Sequence, residues 1–88
     1  MAWAVEFSDD ARRQLKKLDG AARQAIITYL EKRVVPAVDP KSFGHALRYD
    51  LTGLWRYRVA DWRLICEIDP ARHRIRVKTI GHRREVYD

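Results

Sequence analysis

Basic side chains recur at every second position in the last third of the chain, and their spacing brings several of them together. Arg56 and Arg58 share one face of an aromatic and β-branched run that has the period of a half-buried strand. A similar run begins two residues later, and a two-residue hairpin would place Arg58 directly opposite Arg63. Like charges at facing positions destabilise a sheet. We therefore expect this pair to hold an anion such as a phosphate.

A third run of the same kind, Arg74 to Ile80, continues the sheet after a short turn. When its apolar residues are aligned with those of the second run, Arg63 lies beside Ile80. The chain then leaves the sheet through His82 and Arg83, at the end that holds the facing arginines. The sequence thus predicts a cluster of cations at this end of the sheet.

The sequence of the N-terminal half predicts one strand and two helices, which would support this sheet. Apolar residues alternate over residues 3–7, which indicates a strand, and Ser8 is a suitable N-cap for the helix that follows. Asp19-Gly20 is predicted to end this first helix, and a second amphipathic helix stops before Pro36. The order β-α-α-β-β-β predicts an α+β two-layer domain, with the helix hairpin packed on the apolar face of an antiparallel sheet. The arginine face is expected to point toward solvent.

Length and composition narrow the class of protein. The 88 residues suffice for one domain with a modest core, so we assign residues 1–88 to a single domain. The net charge is +6 and thirteen of the eighteen basic residues are arginine, which favours a nucleic acid as partner, although a solvated basic surface accounts for the charge equally well. Cys66 is the only cysteine, so neither a disulfide nor a cysteine metal site is predicted, and we expect no cofactor. The lack of a leader and of a long apolar run predicts a cytoplasmic protein that does not contact a membrane.

Four short motifs follow one another along the second half of the chain. They are Gly44-His45-Ala46-Leu47-Arg48, Leu54-Trp55-Arg56-Tyr57-Arg58-Val59, Asp61-Trp62-Arg63-Leu64-Ile65 and Gly81-His82-Arg83-Arg84-Glu85-Val86-Tyr87. Each motif alone is weak, but together their order and spacing resemble the RelE toxins of the RelE/ParE superfamily. The resemblance implies a single RelE-like domain that is the toxin of a type II toxin–antitoxin pair. It implies a ribosome-dependent endoribonuclease that cuts messenger RNA and inhibits translation, with a RelB-like antitoxin as its partner.

The resemblance also implies roles for individual residues. In chain order, the family's two basic strand positions, its hairpin arginine, its C-terminal arginine and its catalytic tyrosine correspond to Arg56, Arg58, Arg63, Arg83 and Tyr87. Well-known members have lysines at the first two positions. Arginine, unlike lysine, does not give up its proton in a protein. The arginine pair of this chain can therefore neutralise a phosphate but is a poor general base.

The implied reaction is attack of a ribose 2′-hydroxyl on the adjacent phosphorus without a metal ion. Arg58, Arg63 and Arg83 would stabilise the charge that builds on the phosphoryl oxygens. Tyr87 would either stack on a base or transfer a proton, and His82 is a second candidate for proton transfer, although both are also open to a purely structural role. The residues expected to bind RNA around this centre are Arg56, His82 and Arg84.

Two further functions fit the same residues. A non-catalytic module that resembles the ParE branch would inhibit DNA gyrase, and a generic basic RNA-binding domain would not be toxic. Cut messenger RNA during growth arrest would indicate the nuclease, whereas DNA damage would indicate the gyrase inhibitor. The nearly complete basic set favours the nuclease.

Overall fold

The computed structural model describes residues 2–84, which form two layers, a pair of helices against one face of a five-stranded sheet. The elements in chain order are β1 (Ala4–Phe7), α1 (Asp9–Lys17), α2 (Gly20–Tyr29), β2 (His45–Ala46), β3 (Trp55–Val59), β4 (Trp62–Asp69) and β5 (Arg74–His82). The strand order is β1-β5-β4-β3-β2, with β1 parallel to β5 and the other neighbours antiparallel. The predicted α+β two-layer fold is confirmed. Within residues 2–84, no helix has the length and apolarity needed to cross a membrane.

The connection between the helices differs from the prediction. Helix α1 ends at Lys17, and Asp19 is the N-cap of α2, because its carboxylate accepts the Ala22 N–H at 2.7 Å. Asp19-Gly20 therefore begins the second helix instead of ending the first. The end of α1 is completed by Arg23, whose guanidinium donates to three backbone carbonyl groups at the end of that helix. These carbonyl groups belong to Leu15, Lys16 and Leu18.

The core lies between the helix pair and the inner face of the sheet. A π-helical turn, Leu30–Val34, continues α2 and stops before Pro36, as the proline predicted. Cys66 is a core residue, and burial raises the pKa of its thiol, so the reactive thiolate is disfavoured. The fully buried core residues include Ile26, Val34, Tyr57, Leu64, Cys66, Ile75 and Val77.

The segment between α2 and β3 is fastened to the sheet by two aromatic side chains. The Tyr57 hydroxyl donates to the Pro40 carbonyl oxygen at 2.7 Å, and the Trp55 Nε1–H donates to the Phe43 carbonyl oxygen at 2.7 Å. Gly44 follows at φ +79°, where an added Cβ would lie 2.3 Å from the Arg56 carbonyl oxygen. These contacts bring the next residues beside β3. They form β2, a short edge strand that the sequence pattern did not predict.

A β-bulge in β5 corrects the predicted register of the third strand pair. Cys66 faces Val77 as the apolar alignment requires, but Ile65 faces Thr79, so Lys78 is the extra residue. Its carbonyl oxygen accepts a hydrogen bond from the hydroxyl of Ser8, the N-cap of α1, at 2.7 Å. The prediction that Arg63 lies beside Ile80 is therefore wrong by one residue. The observed partners are Leu64 with Ile80 and Arg63 with Gly81.

This one-residue shift in register places Ile80 in the core. It also determines which side chains after Ile80 lie on the same side of the sheet as Arg58 and Arg63. Facing residues of neighbouring strands share one side of a sheet, and a one-residue slip moves each side chain to the other side. Without the bulge, His82 would lie on the arginine side. With it, His82 pairs with Trp62 on the apolar side. Alternation then predicts the arginine side of the sheet for the following residue, Arg83.

Candidate nucleic-acid interface

The β3–β4 hairpin places two site arginines side by side. Residues 60 and 61 form the turn, and the facing pairs are Val59 with Trp62 and Arg58 with Arg63, as the two-residue spacing predicted. Ala60 takes φ +53°, the left-handed conformation that tight hairpin turns require. Arg58 is exposed on the outer face of the sheet. The predicted juxtaposition of two cations at one register position is therefore present.

Arg63 is held against the turn that precedes it. Its Nη1 atom donates to the carbonyl oxygens of Ala60 at 3.0 Å and Trp62 at 3.1 Å, and the residue is only 7% exposed. Burial of a charge is costly unless the charge is hydrogen-bonded, and the turn carbonyls supply such bonds. The prediction that the arginine face points freely into solvent is thus wrong for Arg63. Its guanidinium is fixed in one place instead of extending from the surface.

Arg83 is joined to the same turn from the end of β5. Its backbone N–H donates to the Asp61 carbonyl oxygen at 2.7 Å, and its Nη1 lies 3.7 Å from Asp61 Oδ1. Turn residues 60–62 therefore position both Arg63 and Arg83, the first through main-chain carbonyls and the second through Asp61. We call Arg58, Arg63 and Arg83 the arginine cluster.

His82 lies on the other side of the sheet from Arg58 and Arg63. Its ring meets the edge of the Trp62 ring at a centroid distance of 5.3 Å, and it is half-buried. Its Nδ1 accepts the Arg84 backbone N–H at 3.3 Å. This ring nitrogen is therefore already in contact with a main-chain donor. Arg84 itself is exposed.

Arg56 is the second buried arginine of the outer face. It pairs with His45 of β2 and Ile65 of β4 and is only 5% exposed, again contrary to the predicted solvent face. Ile65 and Leu47 are buried outside the main core cluster and flank this position. Edge strand β2, which the sequence pattern missed, therefore covers Arg56 from one side. His45 belongs to this strand.

A cleft of about 870 Å³ opens beside Arg56. Arg56 lies on one side of the cleft. The other side is the segment that connects β2 to β3, which includes the 3₁₀ helix Tyr49–Leu51. The sequence pattern does not predict this helix, since three consecutive residues give no periodic signal. The lining residues are His45, Ala46, Leu47, Arg48, Tyr49, Asp50, Leu51 and Arg56.

Tyr87, the predicted catalytic tyrosine, lies outside the described residues. Of the other predicted site residues, the structure brings Arg83 into contact with the turn that holds Arg63, and it leaves His82 on the opposite face. Among residues 2–84, the His, Cys, Asp and Glu side chains form no group of three or more that could hold a metal ion.

The chain is similar to toxins of bacterial and archaeal toxin–antitoxin systems. The family model described as the ParE toxin of the type II toxin–antitoxin system, parDE, matches residues 5–87. Toxin RelG of Mycobacterium tuberculosis (strain ATCC 25618 / H37Rv) is 28% identical over 87 residues, which cover 99% of this chain and 98% of that protein.

The fold is similar to that of solved toxin chains. The RelBE2 toxin–antitoxin complex from Mycobacterium tuberculosis matches with a TM-score of 0.85 and 26% identity, over 93% of this chain and 99% of that chain. The archaeal RelE–RelB complex from Pyrococcus horikoshii OT3 matches with a TM-score of 0.69 and 22% identity, over 98% of this chain and 100% of that chain. At the lower identity, the likeness supports the fold alone.

Proposed function

Because this chain belongs to the ParE toxin family of the RelE/ParE superfamily, and is thus the toxin of a type II toxin–antitoxin system, we propose that it is an endoribonuclease that cuts messenger RNA on the ribosome. The observation that carries the proposal is the arginine cluster. Folding alone does not favour placing Arg58 opposite Arg63, since like charges at one register position are destabilising. A phosphate bound between the two arginines would account for this arrangement.

The reaction we propose is an in-line transfer within the RNA. The 2′-oxygen forms a bond to the adjacent phosphorus, the bond from phosphorus to the 5′-oxygen of the next nucleotide breaks, and the products are a 2′,3′-cyclic phosphate and a 5′-hydroxyl. Arg58, Arg63 and Arg83 stabilise the negative charge on the phosphoryl oxygens. Arg63 is suited to this role because the turn carbonyls fix its guanidinium before the substrate arrives.

Proton transfer needs a group other than the arginines. One proton leaves the 2′-hydroxyl and one reaches the departing 5′-oxygen, and a guanidinium does not exchange protons in this pH range. His82 is disfavoured, because it lies on the apolar side of the sheet and its Nδ1 already accepts a hydrogen bond. We therefore assign proton transfer to Tyr87, on the family resemblance. Arg56 and Arg84 serve to hold the RNA backbone.

The partner that restrains this activity is, in our proposal, a RelB-like antitoxin. Two of the similar solved structures are complexes of such a toxin with its antitoxin. A net charge of +6 suits a partner with an acidic segment that folds on binding and covers part of the basic surface. The gene for this partner is expected directly beside the toxin gene, and its product should copurify with the toxin.

The test is primer extension on messenger RNA after brief expression in bacteria. We expect cuts at defined positions with the wild type and none with Arg83→Ala, which empties no core because Arg83 is exposed. Arg13→Ala is the matched control, since it removes an exposed arginine that also forms an ion pair with an aspartate, Asp10, on α1. Intact messenger RNA together with DNA damage in arrested cells would instead support gyrase inhibition. That second candidate rests on the ParE description of the matching family model.

A further inference from the structure

The cleft beside Arg56 has the composition of a nucleotide site. Arg48 and Arg56 line it together with His45, against one carboxylate, Asp50, so the lining is cationic. The same wall carries Tyr49, whose side chain is 89% exposed. Aromatic rings beside cations are the groups with which proteins hold single-stranded nucleic acid, because every base has a face on which a ring can stack.

Tyr49 is held in an unfavourable backbone conformation. Its φ is +60°, in the left-handed region that is costly for a residue with a Cβ. The conformation persists because the Thr52 N–H and hydroxyl both donate to the Tyr49 carbonyl oxygen, at 3.1 Å and 2.6 Å. A glycine at this position would remove the strain without emptying the core. Backbone strain that the surroundings maintain is concentrated at binding sites.

The arginine cluster and the cleft lie along one line on the outer face. Arg56 and Arg58 are two residues apart on β3, so their backbones are separated by about 6.7 Å along the strand. This separation is comparable to that between successive phosphates of an RNA strand. A strand whose reacting phosphate lies at Arg58 would therefore pass over Arg56 and enter the cleft with its neighbouring nucleotide.

We propose that this cleft is a subsite for the nucleotide next to the cleaved bond, in which Tyr49 stacks on the base and Arg48 neutralises the phosphate. The inference rests on the proposed nuclease function and adds to it a contact with the RNA base. Stacking requires the ring and not the hydroxyl. Tyr49→Phe should therefore bind RNA as the wild type does, whereas Tyr49→Ala should not.

The experiment is single-turnover cleavage of messenger RNA on programmed ribosomes, with the full-length toxin varied in concentration. Tyr49→Ala should raise the half-saturating concentration by about 5- to 150-fold, the range measured for loss of one base–aromatic stack. Tyr49→Gly should show the same loss but a higher melting temperature, which separates binding from folding. Val38→Ala is the matched control, because it removes another highly exposed apolar side chain, from the segment between α2 and β2.

A base-free nucleotide tests the contact directly. In messenger RNAs that carry a single abasic nucleotide at successive positions around the cut, one position should abolish the difference between wild type and Tyr49→Ala. If Tyr49→Ala matches the wild type on intact RNA, or if its defect persists at every abasic position, the subsite does not exist. If Tyr49→Ala weakens only the binding of the antitoxin and leaves cleavage unchanged, the subsite likewise does not exist. None of these results removes the nuclease function, which fails separately if the wild type cuts no messenger RNA.

Discussion

Asp61 should position Arg83 for catalysis, and Asp61→Asn removes the charge that does so. The substitution keeps the backbone hydrogen bond from Arg83 N–H to the residue 61 carbonyl oxygen but deletes a carboxylate 3.7 Å from Arg83 Nη1. In water, two unit charges at that distance attract by about 1.1 kcal/mol. Because the two side chains are 55% and 60% exposed, screening and side-chain entropy reduce this to about 0.2–1 kcal/mol. The equilibrium constant for placing Arg83 at the turn should thus fall by about 1.4- to 5-fold.

The cleavage rate and the affinity for the RNA should move in opposite directions. The cleavage rate at saturating toxin should fall by up to about 5-fold, because fewer molecules hold Arg83 at the turn. The half-saturating concentration should decrease, because the variant carries one negative charge fewer beside the RNA. The assay is single-turnover cleavage on programmed ribosomes at two salt concentrations. The gain in affinity should be smaller at the higher salt concentration.

Asp10→Asn is the control, since Asp10 also pairs with an arginine, Arg13, but lies on α1. It should change neither quantity beyond a small general effect of charge. If Asp61→Asn leaves the saturating rate unchanged, Asp61 does not position Arg83 for the reaction. If the variant lowers the rate and weakens binding together, the aspartate supports the fold of the turn and the positioning argument is refuted.

Two further predictions concern the support of the site and its proton transfer. Gly44→Ala should lower the free energy of unfolding by at least about 1–2 kcal/mol, because the residue sits at φ +79° and its Cβ would meet the Arg56 carbonyl oxygen. Thermal unfolding would measure this loss. An unchanged melting temperature would contradict the described approach of β2 to β3. Tyr87→Phe should slow cleavage by about 10²- to 10⁴-fold, as expected for loss of a general acid or base, whereas His82→Gln should have a mild effect in the same assay. The reverse order of severity would return proton transfer to His82.

The hairpin at the centre of the site could be predicted from the sequence because its register depends on local features. Only two residues separate the strands, and alternation fixes which side chains face the core, so the pairing of Arg58 with Arg63 followed directly. The bulge was missed, although the sequence contains a signal for it. Val77 and Ile80 are apolar and three residues apart, and both pack in the core on one face of the sheet, which a regular strand does not allow.

The burial of the arginines and the cleft could not be predicted in the same way. Strand β2 has two residues, and its position depends on hydrogen bonds from Trp55 and Tyr57 to a distant segment. The environment of Arg56 is set by β2, so its burial is a tertiary property. Tyr49 carries no sign of its left-handed conformation in its residue type, since tyrosine disfavours it.

The most direct test of the proposed mechanism is cleavage of a messenger RNA that lacks one 2′-hydroxyl. On programmed ribosomes, the wild-type toxin should cut the all-ribose message at a defined bond and leave a 2′,3′-cyclic phosphate. The same message with a 2′-deoxynucleotide on the 5′ side of that bond should remain intact, because the attacking oxygen is absent. Cleavage of the deoxy-substituted bond at the wild-type rate would contradict the proposal that the arginine cluster stabilises attack by the ribose itself.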